Sequence, residues 1–241
     1  MKNILYHFSK MTNAAQNLAL EEHLLRNRRE GSIFLIWQNT PCVIIGKNQV
    51  ASSEVDLSYA RSHSIPVFRR KTGGGAVYHD LGNVNFSFVE DYDPDNPPRF
   101  SDLVAPIVDF LRKLNLPAVS GSRNDVLVCR HKVCGTAFTI DRNHHVPARI
   151  LVHGCLLFST NLDILARLLT PPPEKLIRYG IPSVRSRVTN LSDFLPGETL
   201  ESFKDKLAGA IFSEKIPKKL LLSLSEVKNI FSLAETYRNL A

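Results

Sequence analysis

The N-terminal part of the chain carries a helical pattern of apolar side chains. In residues 17–25 (NLALEEHLL) apolar positions recur at helical spacing, and Glu21 and Glu22 fall between them. A basic end and then Gly31 follow, as is typical of a helix C-terminus. The pattern predicts a helix that keeps both glutamates on a polar side and ends before the glycine.

Strand patterns follow this helix. Residues 33–37 and 42–45 are apolar and rich in β-branched side chains, and the polar segment between them predicts a hairpin. A short helix is predicted at residues 53–62. Residues 84–88 alternate apolar and polar side chains, which is the period of a strand with one buried face. We therefore expect residues 79–83 to form the turn between two antiparallel strands.

The second half of the chain alternates strands with amphipathic helices. Asn161 and the pair Ser223 and Glu226 supply capping signals for two of the helices. Residues 215–219 predict a linker, and too little sequence follows it for a second domain. We predict helices at residues 102–114, 161–169, 199–212 and 223–240, a hairpin of residues 126–129 and 133–140, and a strand at residues 150–158 that Gly154 interrupts.

Residues 68–88 (FRRKTGGGAVYHDLGNVNFSF) combine glycines and charges in a way that a core segment does not need. The consecutive glycines Gly73, Gly74 and Gly75 have no side chains to pack, which favours a close approach of the backbone to a ligand. The two arginines and the lysine before them indicate that this ligand is negatively charged. A glycine-rich hairpin with a solvated basic rim is the alternative.

Other polar side chains are candidates for the same pocket. Arg69 and Arg70 are adjacent on a strand and point to opposite faces, so only one of the two can enter a given pocket. His79 at the strand end could add a polar wall. Lys132 precedes small side chains at 135–137 that leave room for a ligand, and its ammonium suits a phosphate or a carboxylate. Taken alone, Lys132 is more typical of a solvated lysine on an edge strand, because lysine is rarely buried without a partner.

Composition narrows the possible partners. The 241 residues are 44% hydrophobic with a formal net charge of +7, which favours anionic small ligands or an acidic protein. We expect no nucleic acid, since RNP-like and finger patterns are absent, and no membrane, since no apolar run of spanning length occurs. The four cysteines lack CxxC spacing, which predicts free thiols in the cytoplasm, or in the mitochondrial matrix if a eukaryotic presequence has been removed.

The histidines and cysteines offer little other chemistry. Their spacing does not match a zinc site, and both a Walker A loop and a GxGxxG fingerprint are absent. His153 and Cys155 could form a base–nucleophile pair by residue type. The alternation of side chains along a strand favours a buried structural thiol instead.

The motifs taken together resemble a known family. The segments NLALEEHLL, WQNTPCVIIGKNQ, RRKTGGGAVYHDLGNVNFSF, SRNDVLV, HKVCGTAF, HGCLLFSTNLDIL and SVRSRVTNL follow, in order, the catalytic domain of lipoate–protein ligases and lipoyltransferases. The resemblance implies an α/β (α+β) fold with a mixed, mainly antiparallel sheet flanked by helices, related to the biotin-protein-ligase catalytic domain.

The resemblance also implies a reaction. Lipoate and ATP, with Mg²⁺, would give lipoyl-adenylate (lipoyl-AMP) and pyrophosphate. The lipoyl or octanoyl group would then pass to a lysine of a lipoyl domain, in the E2 subunit of a 2-oxoacid dehydrogenase or in glycine-cleavage H protein. Two alternatives stay open: an octanoyltransferase that forms an acyl-thioester on Cys155, and a catalytically silent module that binds lipoate.

Individual residues take their roles from this resemblance. Lys132 matches the family's essential lysine and is the candidate catalytic residue. Asp125 could also hold Mg²⁺ with the phosphates. The lipoate-binding positions implied are Arg70, Gly73, Gly74, Gly75 and His79, and the nucleotide-binding positions are Val77, Tyr78, Asn124, Asp125, Lys132 and Ala137.

The family commonly continues into a small C-terminal domain, whereas this sequence ends at Ala241. We therefore expect residues 1–241 to form a single catalytic domain without that addition. Three explanations stay open for the step that uses ATP: a separate small accessory subunit takes part, the chain transfers only from preformed lipoyl-adenylate, or the sequence is a shortened piece.

Overall fold

The structure is a computed structural model that describes residues 2–29, 31–121, 124–144, 147–169, 188–213 and 215–241. Arg123, His145 and most of the segment 183–191 carry parts of the sequence predictions and lie outside these ranges. No helix in the described ranges is long and apolar enough to cross a membrane.

The helices form largely where the apolar spacing predicts them. Asn161 accepts a hydrogen bond from the backbone N–H of Ile164, and Ser223 and Glu226 form the predicted capping box. The helices are α1 (Ala14–Asn27), α2 (Ala51–Glu54), α3 (Leu57–Ser62), α4 (Phe100–Lys113), α5 (Leu162–Leu168), α6 (Leu200–Phe212) and α7 (Leu224–Ala234), with a 3₁₀ turn at Leu191–Phe194.

The strands form two sheets. They are β1 (Lys2–Phe8), β2 (Ser32–Trp37), β3 (Cys42–Ile45), β4 (Val67–Arg69), β5 (Val77–His79), β6 (Asn83–Asp91), β7 (Ala118–Ser120), β8 (Asp125–Val128), β9 (His131–Asp141), β10 (Arg149–Leu157) and β11 (Lys215–Lys219). The large sheet has the order β11-β1-β2-β6-β10-β9-β8-β7, and the small sheet has the order β4-β3-β5. Only the β1–β11, β1–β2 and β3–β4 pairs are parallel among those described, which confirms the predicted mixed, mainly antiparallel α/β fold.

Apolar layers cover both faces of the large sheet. Side chains of α4 and α6 pack with one face of β2, β6 and β10, and α1, α7 and part of β3 pack with the other. The opposite face of the small sheet packs with α3 and α5. The small sheet and α1 therefore lie over the same face of the large sheet, and the space between them is where a cavity can form.

Sheet membership differs from the sequence prediction in two places. The predicted hairpin of residues 33–45 is wrong, because β2 belongs to the large sheet and β3 to the small one. The turn at residues 79–83 likewise joins β5 to β6 across the two sheets and does not close an antiparallel pair. A short polar connection can cross between layers as easily as it can reverse a strand, so the local pattern does not distinguish the two.

Burial also differs from prediction at several positions. Asn85 and Ser87 on β6 are fully buried because both faces of the large sheet are covered, so this strand does not have one solvated face. Glu21 and Glu22 are buried in α1 and do not form a polar side.

The bounds of three elements also differ from prediction. Residues 215–219 are strand β11 and not a linker. Gly154 lies inside a continuous β10, and α7 ends at Ala234.

Candidate active site between the two sheets

A cavity of about 100 Å³ lies between the large sheet, α1 and the small sheet. Its floor contains a row of directly paired residues on four neighbouring strands: Gly135, Cys155, Asn85 and Trp37 on β9, β10, β6 and β2. The glycine segment between β4 and β5 closes one side. The cavity is thus a slot across the strands, with a glycine at one end of the row and a tryptophan at the other.

Lys132 and Asp125 stand beside the glycine end of this row. Lys132 Nζ lies 2.6 Å from Asp125 Oδ1, and the two side chains are 27% and 14% exposed. A Cβ on Gly135 would lie 3.3 Å from Lys132 Nζ, so the glycine leaves room for the lysine side chain as well as for a ligand. A partly exposed cation at the cavity mouth can reach both a bound ligand and a molecule that approaches from solvent.

The hairpin of β8 and β9 fixes the position of this ion pair. Its two turn residues, Cys129 and Arg130, both have positive φ (49° and 67°), as in the type I′ turns that match the twist of paired strands. At the other end, the carbonyl of Asn124 accepts hydrogen bonds from the backbone N–H (2.8 Å) and the hydroxyl (3.0 Å) of Thr136. Asp125 and Lys132 therefore come from ends of strands that are held at both sides.

Arg70 faces the cavity and holds the glycine segment. Its Nε donates to Thr72 Oγ1 at 2.8 Å, Nη1 donates to the Ile44 carbonyl at 3.1 Å, and Nη2 donates to the carbonyls of Gly73 (2.6 Å) and Gly75 (2.8 Å). Burial lowers the pKa of Arg70 to about 10, so the guanidinium remains charged at neutral pH. A single buried side chain thus ties both sides of the glycine turn to the small sheet.

Arg69 points away, as the alternation along a strand predicts. Its Nη1 donates to the carbonyls of Gly46, Lys47 and Gln49, and it does not line the cavity. In the structure Arg70 is therefore the arginine on the cavity side, and Arg69 lies on the opposite side.

A buried polar network connects Arg70 to helix α1, on the same face of the large sheet. Thr72 Oγ1, which accepts from Arg70, lies 2.8 Å from His153 Nε2, and His153 Nδ1 lies 2.9 Å from Glu21 Oε1. The same Glu21 oxygen accepts from Ser87 Oγ at 2.6 Å. The simplest proton assignment has His153 Nδ1–H donating to Glu21 and Thr72 donating to Nε2. Glu21 in α1 thereby helps to position the segment that closes the cavity.

The glycines around the cavity differ in how closely other atoms approach them. Gly74 has φ +89°, and a Cβ there would lie 2.9 Å from Arg70 Nη2. A Cβ on Gly46 would lie 2.2 Å from the Gly74 carbonyl oxygen, so this turn packs directly against the glycine segment. Cβ atoms on Gly73 and Gly75 would meet no heavy atom within 4 Å, and Gly75 lines the cavity whereas Gly73 does not.

These contacts predict opposite outcomes for two alanine substitutions. Gly46→Ala should lower the melting temperature by about 6 °C, because relieving the clash with the Gly74 carbonyl costs about 2 kcal/mol. Gly73→Ala should leave the melting temperature unchanged or slightly higher, because the space is open and alanine reduces the freedom of the unfolded chain. Thermal unfolding of the two purified variants measures this, and equal destabilisation would contradict it.

His79 lines the cavity as a neutral side chain. It is buried, its Nδ1 lies 3.1 Å from Asn39 Nδ2, and its ring meets Trp37 edge to face at 5.7 Å. Burial lowers its pKa to about 3, and the positive charge of Arg70 adds to this effect. At neutral pH His79 therefore offers a hydrogen-bonding wall without a charge.

The structure brings together most of the predicted site residues. Arg70, Gly74, Gly75, Val77, His79, Asn124, Asp125, Lys132 and Ala137 all line the cavity. Tyr78 does not line it, because side chains alternate along β5, and its ring packs with Val43, Ile45 and Val67 on the opposite face of the small sheet. Its side chain is therefore not part of the cavity wall.

The geometry around Cys155 corrects the sequence argument. His153 and Cys155 are two residues apart and share the cavity face of β10, so alternation does not separate them. Both ring nitrogens of His153 are already engaged by Glu21 and Thr72. Burial raises the pKa of the Cys155 thiol well above its ordinary value. The thiol therefore remains protonated, and His153 is not free to act as its base, which is unfavourable for a nucleophile.

Several residues at the site gave no signal on their own in the sequence. The cavity is lined by Trp37 and Asn85, and Thr72 supports it through its contact with His153. The prediction that Glu21 lies on a polar side of its helix is wrong, because the side chain is buried. The sequence did contain a signal for the burial of Glu21, because apolar residues at positions 18–20 and 24–25 surround more than half of the helix circumference.

Within the described ranges, no group of three or more His, Cys, Asp or Glu residues could hold a metal ion.

Comparisons with known proteins find relatives that match most of the chain. A family model described as the lipoyl protein ligase A/B catalytic domain matches residues 13–212. Lipoate–protein ligase 1 of Staphylococcus aureus is 39% identical over 237 residues, which cover 97% of this chain and 70% of the relative. The lipoate-protein ligase LplJ of Bacillus subtilis is 38% identical over 199 residues, which cover 82% of this chain and 59% of the relative. The chain thus spans only part of the length of each relative.

Solved structures share the fold over nearly the whole chain. A T. acidophilum protein described as a lipoate protein ligase, with bound lipoic acid, superposes with a TM-score of 0.81 at 27% identity, covering 97% of this chain and 95% of that one. A lipoate-protein ligase A bound with ATP gives 0.80 at 27% identity, with 97% and 94% covered. A bi-partite lipoate protein ligase from T. acidophilum, solved in a study with its E2 lipoyl domain, gives 0.77 at 29% identity, with 97% and 91% covered. The resemblance predicted from the motifs is therefore confirmed, and this chain belongs to the lipoyl protein ligase A/B catalytic domain family.

Proposed function

We propose that this protein attaches lipoyl or octanoyl groups to a lysine of lipoyl domains through an acyl-adenylate. The observation that carries the proposal is the position of Lys132. Its ammonium is a partly exposed cation at one end of a slot, and the floor of this slot contains apolar side chains such as Trp37 and the polar side chain of Asn85. The slot suits an acyl chain, and the cation suits the carboxylate and phosphate at its head. The family's named ligases and the lipoate-bound and ATP-bound structures support the same reaction.

The first step forms the mixed anhydride. A carboxylate oxygen of the acid attacks the α-phosphorus of ATP, the bond to the β-phosphate breaks, and pyrophosphate leaves. Negative charge on the α-phosphate oxygens increases in the transition state, and the Lys132 ammonium lies where it can stabilise that charge. Asp125 holds the ammonium in place through its contact at 2.6 Å.

The second step transfers the acyl group. The acceptor lysine amine attacks the carbonyl carbon, the carbon–oxygen bond to phosphate breaks, AMP leaves, and the amine loses a proton to give an amide. Lys132 can stabilise the charge on the carbonyl oxygen in this step as well. Water must be kept from the anhydride, and the glycine segment held by Arg70 closes the slot on that side.

Mg²⁺ fits this site as a partner of the phosphates. Mg²⁺ is usually held by one or two carboxylates together with substrate phosphates and waters, so Asp125 alone can supply the protein ligand. When bound, the ion would neutralise phosphate charge during adenylate formation.

The proposed acceptors are lipoyl domains of E2 subunits and glycine-cleavage H protein. Support comes from the T. acidophilum study, which pairs a bi-partite ligase with its E2 lipoyl domain. We propose the cytoplasm as the compartment, in agreement with four free cysteines, and the mitochondrial matrix only for a eukaryotic source with a removed presequence.

The test is acylation of a purified E2 lipoyl domain, followed by the mass of the product. One reaction contains lipoate, ATP and Mg²⁺, and a second contains preformed lipoyl-adenylate. Product in both supports a complete ligase. Product only from the adenylate supports a chain that transfers alone and requires a separate small subunit, which we propose as a partner in that case. No product in either reaction would contradict the proposal and favour a silent lipoate-binding module.

A thioester route through Cys155 makes a different prediction. We expect Cys155→Ser to retain most of the wild-type acylation rate, because the thiol is protonated and both nitrogens of His153 are engaged elsewhere. Initial rates with lipoate plus ATP, and with octanoyl-acyl carrier protein in the absence of ATP, measure this. A loss of a thousandfold or more would be expected of a removed nucleophile and would support the octanoyltransferase alternative.

A further inference from the structure

Asn85 is a buried polar side chain without a partner. It is fully buried on β6, it lines the cavity, and neither its Nδ2 nor its Oδ1 has a hydrogen-bond partner within the described part of the chain. Buried side-chain amides normally find such partners, and leaving one unpaired costs free energy. The neighbouring side chains Ser87 and His153, by contrast, both hydrogen-bond to Glu21. Asn85 therefore differs from these three neighbours.

The position of Asn85 relates it to the far part of a bound chain. It is directly paired with Cys155 on one side and Trp37 on the other, in the row that begins at Gly135 beside Lys132. Two interstrand steps separate Gly135 from Asn85, which corresponds to roughly 10 Å along the floor. An acyl chain whose carboxylate lies at Lys132 and which follows this row brings its tail to Asn85.

We propose that Asn85 selects for an acyl chain with sulfur in its tail over a plain alkyl chain. The inference rests on the proposed function and assigns the residue that distinguishes lipoate from octanoate. The ring sulfurs of lipoate can accept a hydrogen bond from the amide Nδ2–H, and the thiols of the reduced form can donate to Oδ1. An alkyl tail can do neither, and it would cover the amide without replacing its hydrogen bonds to water.

A matched pair of substitutions separates polarity from volume. Valine and threonine have nearly the same shape, and only threonine keeps a polar group at this position. The measurement is the ratio of kcat/KM for lipoate to kcat/KM for octanoate, with an E2 lipoyl domain as acceptor and both acids in competition. Melting temperatures of the ligand-free proteins are measured in parallel.

We expect Asn85→Val to lower the lipoate-to-octanoate ratio about tenfold, which corresponds to about 1.4 kcal/mol, mainly because octanoate improves. Asn85→Thr should stay within about threefold of the wild-type ratio. The melting temperature of Asn85→Val should equal or exceed that of the wild type, since the substitution removes an unpaired buried amide.

Three results would overturn the inference. An unchanged ratio in Asn85→Val would mean that a retained water satisfies the amide with either acid. Equal falls in the valine and threonine variants would mean that side-chain shape, and not polarity, sets the preference. A clear loss of stability or folding in Asn85→Val would mean that Asn85 supports the fold. Failure of the proposed function is distinguishable from all three, because it abolishes acylation by the wild type with both acids.

Discussion

Replacing Lys132 with alanine is expected to lower kcat/KM for acylation by about a thousandfold, equivalent to about 4 kcal/mol of transition-state stabilisation. The ammonium is a cation beside the glycine end of the slot, and both chemical steps develop negative charge there. Pyrophosphate release from lipoate and ATP, and acyl transfer from preformed lipoyl-adenylate, should therefore both fall. The two rates are measured separately on the same preparation.

Stability and a charge-matched variant serve as controls for this result. Lys132 is 27% exposed, so its removal should change the melting temperature by only a few degrees. Lys113→Ala removes the same charge from the exposed end of α4 and should leave both rates unchanged. If Lys132→Ala kept rates within threefold of the wild type, the proposed role of the lysine would be wrong.

The fold was predictable where the signal is local. The β8–β9 hairpin, the capping box of α7 and the Asn161 cap follow from spacing and turn chemistry within a few residues. The pairing of β2 with β6, and of β11 with β1, is decided by packing between residues far apart in the chain. A strand pattern gives no information on which sheet a strand joins, and this is why the predicted 33–45 hairpin fails.

The residues of the candidate site also fall into two groups: those that short sequence motifs contain and those that contacts between distant segments bring together. Lys132, Asp125, Arg70 and the glycines occur in short motifs, so a family resemblance finds them together. Glu21, Thr72 and His153 form a network that runs from α1 through β10 to the glycine segment, and no short motif contains it. In the sequence Asn85 is only a polar position of an alternating strand, and its buried, unpaired state depends on the segments that cover both faces of the sheet.

Replacing Arg70 with lysine should lower both the stability and the activity of the protein. The hydrogen bonds of Arg70 use Nε, Nη1 and Nη2, which diverge toward Thr72, Ile44 and the glycine segment. A lysine ammonium is a single point and cannot reach all of these acceptors. We expect a loss of about 3 kcal/mol in the free energy of unfolding, a fall of roughly 10 °C in melting temperature, and about a hundredfold lower kcat/KM.

Arg69→Lys is the matched control for this substitution. One nitrogen of Arg69, Nη1, donates to all three of its carbonyl acceptors, so an ammonium with three donors can replace it. Its melting temperature and kcat/KM should therefore stay close to wild-type values. If Arg70→Lys lost activity but melted like the wild type in the absence of ligand, Arg70 would act directly on the substrate and not through the glycine segment. The ligand-free melting temperature is thus the measurement that decides how Arg70 works.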